Sequence, residues 1–126
     1  MYKTKIDDTH LITVDSAKDS IVYSVNGSKM NPLEAFYASL TGCAAVYAKK
    51  ACKELGISPN GIEINCVPKI GSSGALSLSK FKTEVKFPNN FSQEQKQKIL
   101  NSINHCAVKE IVKDGNDIEF VTEETI

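Results

Sequence analysis

The chain has 126 residues, and its 15 basic residues, all of them lysine, balance 15 Asp and Glu to give a formal net charge of zero. This length fits one domain over residues 1–126, with one hydrophobic core. The sequence has no basic run with interleaved aromatic residues, no stretch of about 20 apolar residues and no apolar signal segment, so we expect a cytoplasmic protein that binds neither nucleic acid nor membrane.

The first 25 residues have the pattern of short strands. Residues 2–7, 10–15 and 20–25 are rich in β-branched and aromatic side chains with partial alternation, and polar turn residues separate them. Asn26 and Gly27 form a turn signal after the third segment. We therefore predict a three-stranded antiparallel meander.

A long helix is predicted next, from about Pro32 to Leu55. Asn31 can cap it, Pro32 suits the first helical position because its missing N–H costs nothing there, and Glu34 in the first turn is favoured by the helix dipole. Gly56 is the expected end of the helix. The sequence thus marks both ends with residues of known capping chemistry.

This helix is apolar on nearly every face, because Glu34 is the one charged residue between Leu33 and Ala48. Such a pattern is typical of a helix that is buried all round. Twenty-four residues span about 36 Å, which is long for so small a domain to cover from within. We therefore expect a second copy of the chain to supply part of the cover.

Two further strands are predicted at Gly61–Ile70 and Leu76–Phe87, as a hairpin or as neighbours, with a loop at Gly71–Gly74 between them. The second strand shows alternating apolar residues at Leu76, Leu78, Phe81, Val85 and Phe87.

A second helix is predicted to begin at Ser92, with Gln95 three positions on as in a capping box, and to end at Gly115. Helical spacing of apolar residues supports it, at Ile99, Leu100, Ile103, Cys106, Ala107 and Val108. Residues 117–122 (DIEFVT) are predicted to form a final strand.

The cysteines are the residues of this sequence with the clearest candidate chemistry. Two thiols on separate helices can act as a redox pair if the fold brings them together, because a thiolate can attack an O–O bond and a second thiol can then close a disulfide. Cys43 and Cys106 lie in the two helix patterns. Taken alone, each could instead be a small buried hydrophobe, and packing is the favoured interpretation for Cys52 and Cys66. The four cysteines lack the close ligand pair that is usual in a zinc site.

The order of these elements, together with four short motifs, resembles the osmotically induced protein C and organic hydroperoxide resistance (OsmC/Ohr) family. The resemblance covers nearly the whole chain. The motifs are Asn31-Pro32-Leu33-Glu34, Leu40-Thr41-Gly42-Cys43, Glu54-Leu55-Gly56-Ile57 and Asn104-His105-Cys106-Ala107-Val108.

The resemblance implies an α+β fold, an intertwined homodimer with the long helices at its centre, and active sites at the subunit interface. It also implies a thiol-dependent peroxidase in which Cys43 attacks an organic hydroperoxide and Cys106 resolves the sulfenic acid to a disulfide. An external dithiol such as a lipoyl group would restore the thiols, and no metal, flavin or haem is required. In the family a glutamate orients the reactive thiolate, and Glu34 is the candidate here.

Two positions differ from the family pattern. The family's peroxidases use an arginine near the reactive thiolate, and this chain has none; their glutamate directly follows the proline, where this chain has Leu33. Glu34 and Cys43 are about 13.5 Å apart along a straight helix, so contact requires a helix break near Gly42 or a Glu34 from a second subunit.

Two alternative functions stay open. One is a member of the fold that binds a small hydrophobic or thiol-reactive ligand without peroxidase activity, and the other is a dimeric interaction module.

Overall fold

The computed structural model of the chain describes residues 1–71 and 74–122, with the backbone alone over 70–71 and 74–80. It has the mixed α and β composition that the sequence predicts. The elements follow in the order β1 (Leu11–Asp15), β2 (Ser20–Ser24), α1 (Pro32–Leu55), β3 (Glu63–Gly71), β4 (Gly74–Lys86), α2 (Gln93–Ile103) and α3 (Ala107–Asp114). None of the helices in the described residues is long and apolar enough to cross a bilayer.

The N-terminal sheet is smaller than predicted. Strands β1 and β2 pair antiparallel, with Leu11 opposite Ser24 and Asp15 opposite Ser20. The expected strand at residues 2–7 is reduced to one bridge, in which Lys3 and Asp15 exchange two backbone hydrogen bonds of 3.0 and 2.8 Å. Its apolar side chains are exposed, so no packing holds the rest of this segment against β1.

Helix α1 has the predicted bounds, and both ends are capped. The Glu34 N–H donates to the Asn31 side chain at 2.9 Å, and the Asn31 N–H donates to the Glu34 carboxylate at 3.2 Å, which is a capping box. At the other end Gly56 adopts a φ of 69°, and the Ile57 N–H reaches the Cys52 carbonyl at 3.0 Å in a Schellman arrangement. Glycine suits this end because a side chain would strain a positive φ.

One face of α1 is buried within the single chain, and the remaining faces are not. The buried residues follow a helical stripe at Leu40, Ala44, Ala48, Ala51 and Cys52. By contrast Val46, in the middle of the helix, is 60% exposed. The single chain therefore leaves part of α1 exposed, although the apolar pattern predicts a helix that is buried all round.

Strands β3 and β4 form a second two-stranded sheet, which confirms the prediction that they are neighbours. Residues 72 and 73 of the predicted loop lie outside the described residues, as do the side chains on which the alternation over Leu76 and Leu78 depends.

The predicted second helix is divided in two, which corrects the sequence interpretation. Ser92 and Gln95 form the expected capping box at the start of α2, with bonds of 2.9 and 3.1 Å, and Gly115 ends α3 with a φ of 68°. Between them α2 stops at Ile103 and α3 begins at Ala107. The apolar spacing runs through this corner without Gly or Pro, so the sequence has no signal for the break.

Residues 117–122 form no strand with the described part of this chain, which differs from the predicted final strand. Their apolar side chains are open to solvent, with Ile118 at 78% and Phe120 at 93% exposure. A strand needs a neighbour for its backbone hydrogen bonds, and the described chain offers none here.

The described chain divides into two compact units. Unit 1 consists of Met1–Ser39 and Pro68–Phe81, and its aromatic rings pack as Phe36, Tyr37 and Phe81 with centroids 5.7 to 6.1 Å apart. Unit 2 consists of Leu40–Val67 and Lys82–Ile126, and it holds a core cluster of Ala48, Ala51, Cys52, Phe91 and Ile99. The single domain over residues 1–126 stays a prediction.

Candidate redox site

The two predicted redox cysteines lie on different elements of unit 2. Cys43 is half-buried on α1, one residue before the buried Ala44. Cys106 is buried and lies at the corner between α2 and α3, where it is the residue preceding the first turn of α3. It has extended backbone angles, with φ −62° and ψ 138°, as a residue at a helix N-cap should.

Packing of α2 against α1 brings these cysteines together. Ile99 of α2 is fully buried among alanines of α1, whose small side chains allow the two helices to approach closely. The Ser102 hydroxyl donates to the Tyr47 carbonyl at 3.1 Å. Tyr47 lies one turn after Cys43, and Ser102 lies four residues before Cys106, so this bond fixes the separation of the helices next to the thiols.

Cys43 and Cys106 lie near enough for the Cys43 side chain to act on the Cys106 thiol, and all four cysteines of the chain carry free thiols. Burial raises the pKa of Cys106, and the hydrogen bond with Cys43 and the charge on that sulfur raise it further. The protonated Cys106 thiol is therefore suited to donate to the Cys43 sulfur. Such proximity is a condition for a disulfide, because the bond forms only between cysteines whose β-carbons can come within about 4.5 Å.

Lys109 opposes these effects at Cys106, and the sequence interpretation missed it. Its backbone N–H lies near the Cys106 sulfur without closing a capping hydrogen bond, and both this N–H and the side-chain charge lower the pKa of Cys106. The spacing Cys-x-x-Lys places the lysine in the first turn of α3. This spacing can be interpreted only when α3 is known to begin after Cys106.

Glu34, the residue predicted to orient the thiolate, takes part in the N-terminal cap of α1. Its carboxylate accepts the Asn31 N–H in the capping box, and the groups that it contacts there are backbone and amide. Helix α1 continues without interruption through Thr41 and Gly42. The break that would let Glu34 reach Cys43 of the same chain is therefore absent.

The other cysteines and the histidines have the surroundings expected of packing and surface residues. Cys52 is buried in the core cluster, and burial raises its pKa. Cys66 is half-buried on β3, and His10 and His105 are exposed. Across residues 1–71 and 74–122, no three side chains of the types His, Cys, Asp and Glu come together in a group that could hold a metal ion.

Unit 1 contains an apolar groove. It has a volume of about 500 Å³, and one lysine lies among its mostly apolar walls. Strand β2, the turn after it and the first part of α1 supply the lining, at Ile21, Val22, Tyr23, Lys29, Met30, Ala35, Ala38 and Ser39. Such a groove could accept the hydrocarbon part of a small ligand.

Comparison with known proteins gives one sequence match and several structural ones. The sequence profile of OsmC-like proteins matches residues 25–121 of the chain. The fold resembles the crystal structure of an OsmC-like protein from Mycoplasma pneumoniae, with a TM-score of 0.73 and 15% identity over 90% of this chain and 86% of that one. It also resembles a Psychrobacter arcticus protein named as an osmotic stress induced and detoxification response protein. That match has a TM-score of 0.72 and 13% identity over 86% of this chain and 85% of the other. No curated protein matches the sequence at a significant level.

Proposed function

The chain belongs to the OsmC-like family, and we propose that it is a thiol-dependent peroxidase that reduces organic hydroperoxides through Cys43 and Cys106. The single observation that carries this proposal is the proximity of the two thiols, which come from α1 and from the corner between α2 and α3. Cys52, which is buried in the same unit, has apolar partners instead.

The first step is attack by the Cys43 thiolate on the distal oxygen of the hydroperoxide. The O–O bond breaks, an alkoxide leaves and takes a proton to become an alcohol, and Cys43 becomes a sulfenic acid. In the reduced protein the Cys106 thiol can donate a hydrogen bond to the attacking sulfur. Cys106 is thus one polar neighbour of that sulfur in a chain that lacks arginine.

In the second step Cys106 loses its proton and attacks the sulfur of the sulfenic acid. A disulfide forms, the S–O bond breaks, and the hydroxide that leaves takes a proton to become water. Two thiols are oxidised and one hydroperoxide is reduced, so the electrons balance. An external dithiol, such as a lipoyl group, would then reduce the disulfide by thiol exchange and complete the cycle.

We further propose that the working form is a homodimer. The apolar residues that the single chain leaves exposed support this assembly, because the terminal segment around Ile118 and Phe120 and the middle of α1 around Val46 all lack cover. A second copy could pair with residues 117–122 as a strand and cover α1. Size measurement in solution by light scattering tests this assembly.

The experiment that tests the peroxidase is thiol counting after addition of cumene hydroperoxide to the reduced protein. We expect loss of two thiols per chain, with a disulfide between Cys43 and Cys106 in the peptide map. A Cys43→Ser variant should lose peroxide consumption by at least about a hundredfold. Cys66→Ser is the matched control, since it removes a half-buried thiol outside the pair. Consumption by Cys43→Ser at the wild-type rate would show that the mechanism is wrong.

A second candidate function is binding of a small hydrophobic or thiol-reactive ligand without peroxidase chemistry. Two observations favour it: the Glu34 carboxylate is held in the helix cap, and the apolar groove lies in unit 1. This function predicts binding of a fluorescent fatty acid that is lost in Ala38→Trp, which fills the groove, and retained in Cys43→Ser. A peroxidase predicts instead that hydroperoxide consumption is lost in Cys43→Ser.

A further inference from the structure

At the corner between α2 and α3 a side chain takes the place of one backbone donor. Two backbone bonds of 3.0 Å lie beside it, in which the His105 and Cys106 N–H groups donate to the Ser102 and Ile103 carbonyls. In a continuous helix the Asn104 carbonyl would accept the N–H of Val108. Here the Lys109 Nζ donates to this carbonyl at 3.0 Å and to the Asn104 side-chain oxygen at 3.3 Å. The helix ladder restarts when the Glu110 N–H donates to the Cys106 carbonyl at 3.1 Å.

The same lysine lowers the pKa of the buried Cys106 thiol in two ways, of which its backbone N–H has the larger effect and its side-chain charge the smaller. The Lys109 charge acts on Cys106 directly, while Cys43 from α1 acts on it in the opposite direction. Glu110 lies beside Lys109 at 3.5 Å, both of these side chains are half-exposed, and His105 is exposed. One lysine side chain therefore bonds across the corner that carries Cys106, and its charge acts on the Cys106 thiol.

We infer that Lys109 is the positioning residue of the disulfide-closing step, because its bonds to Asn104 hold the corner at which Cys106 lies beside Cys43. This inference rests on the proposed peroxidase. In that step the Cys106 proton leaves, the S–S bond forms, and the hydroxide released from the Cys43 sulfenic acid becomes water. A positive charge near the attacking sulfur lowers the cost of its ionisation.

The test compares Lys109→Gln with Lys109→Arg, and Lys113→Gln serves as the control because Lys113 is exposed on the same helix. Limited alkylation of the reduced protein by iodoacetamide is followed at Cys106 by mass spectrometry across the pH range. We expect Lys109→Gln to slow alkylation near neutral pH by about three- to tenfold and to move the pH profile upward. Lys109→Arg should stay within about twofold of wild type, because it keeps the charge, and Lys113→Gln should match wild type.

A second measurement follows the closing step itself. After one equivalent of cumene hydroperoxide, dimedone trapping should find a longer-lived Cys43 sulfenic acid in Lys109→Gln than in wild type. An unchanged pH profile in Lys109→Gln, or an equal displacement in Lys109→Arg, would overturn the inference even if wild type consumes hydroperoxide. Failure of wild type to consume hydroperoxide would refute the proposed function, while the alkylation profiles would still decide whether Lys109 acts on Cys106.

Discussion

The core around Cys52 and the corner around Cys106 both bury a thiol in unit 2, but they surround it differently. Cys52 lies inside α1 against Ile99 and Phe91, and burial alone raises its pKa. Cys106 lies at the start of a helix with no buried residues, and its neighbours are a second thiol and a lysine. Burial by itself makes a thiol inert; a partner sulfur and an opposing cation are what make the corner a candidate for chemistry.

The largest expected effect comes from removing the side chain at the centre of the Cys52 core. Ile99→Ala should reduce the free energy of unfolding by about 2–5 kcal/mol, because Ile99 is fully buried and its loss leaves a cavity. Urea denaturation measures this change. Leu100→Ala is the matched control, since Leu100 is 39% exposed and should cost much less. Equal losses in the two variants would show that the core is not centred on Ile99.

A second prediction compares the two thiols directly. In the native protein we expect iodoacetamide to modify Cys106 at least about tenfold faster than Cys52, because α3 can open locally while Cys52 needs the core to open. Peptide mapping by mass spectrometry gives both rates in one sample. If mild urea accelerates both sites equally, the two regions open together and the distinction fails.

Ser102→Ala should have a smaller effect. Losing the bond to the Tyr47 carbonyl should cost about 1 kcal/mol of stability and slow disulfide closure, since that bond fixes α2 beside the thiols. Urea denaturation and quenched-flow thiol counting measure these two effects. Ser39→Ala removes a hydroxyl bonded locally to the Phe36 carbonyl and should leave closure at the wild-type rate. Slow closure in both variants would point to a general loosening instead.

The smallest expected effect is the alkaline dependence of stability. The native state holds Cys52 protonated at pH values where the unfolded thiol ionises, so unfolding releases a proton and stability falls as pH rises. The contribution is intact below the ordinary thiol pKa of about 8.5 and is lost above it, by no more than about 1.4 kcal/mol per pH unit. Denaturation of wild type and Cys52→Ala across this range should show a flatter dependence in the variant. Parallel curves would contradict the assignment.

Local chemistry made much of the fold predictable. The bounds of α1 followed from the Asn31 and Glu34 cap and from Gly56, and the start of α2 followed from Ser92 and Gln95. These signals act within a few residues, so neighbouring sequence suffices to read them. The strands near both ends of the chain were harder to predict, because a strand depends on a neighbouring strand that the sequence alone does not identify. This is why residues 2–7 and 117–122 have a strand pattern without a strand.

The amino-acid sequence alone determined the helix ends, the family resemblance and the identity of the two candidate thiols, because each depends on residue type and short spacing. The tertiary structure alone decided that these thiols lie near each other, that the second helix turns before Ala107, and that Lys109 bonds to Asn104 across the corner. The turn carries no Gly or Pro signal. At this turn an ammonium group satisfies the Asn104 carbonyl in place of a backbone N–H, and such a bond over five residues is visible only in three dimensions.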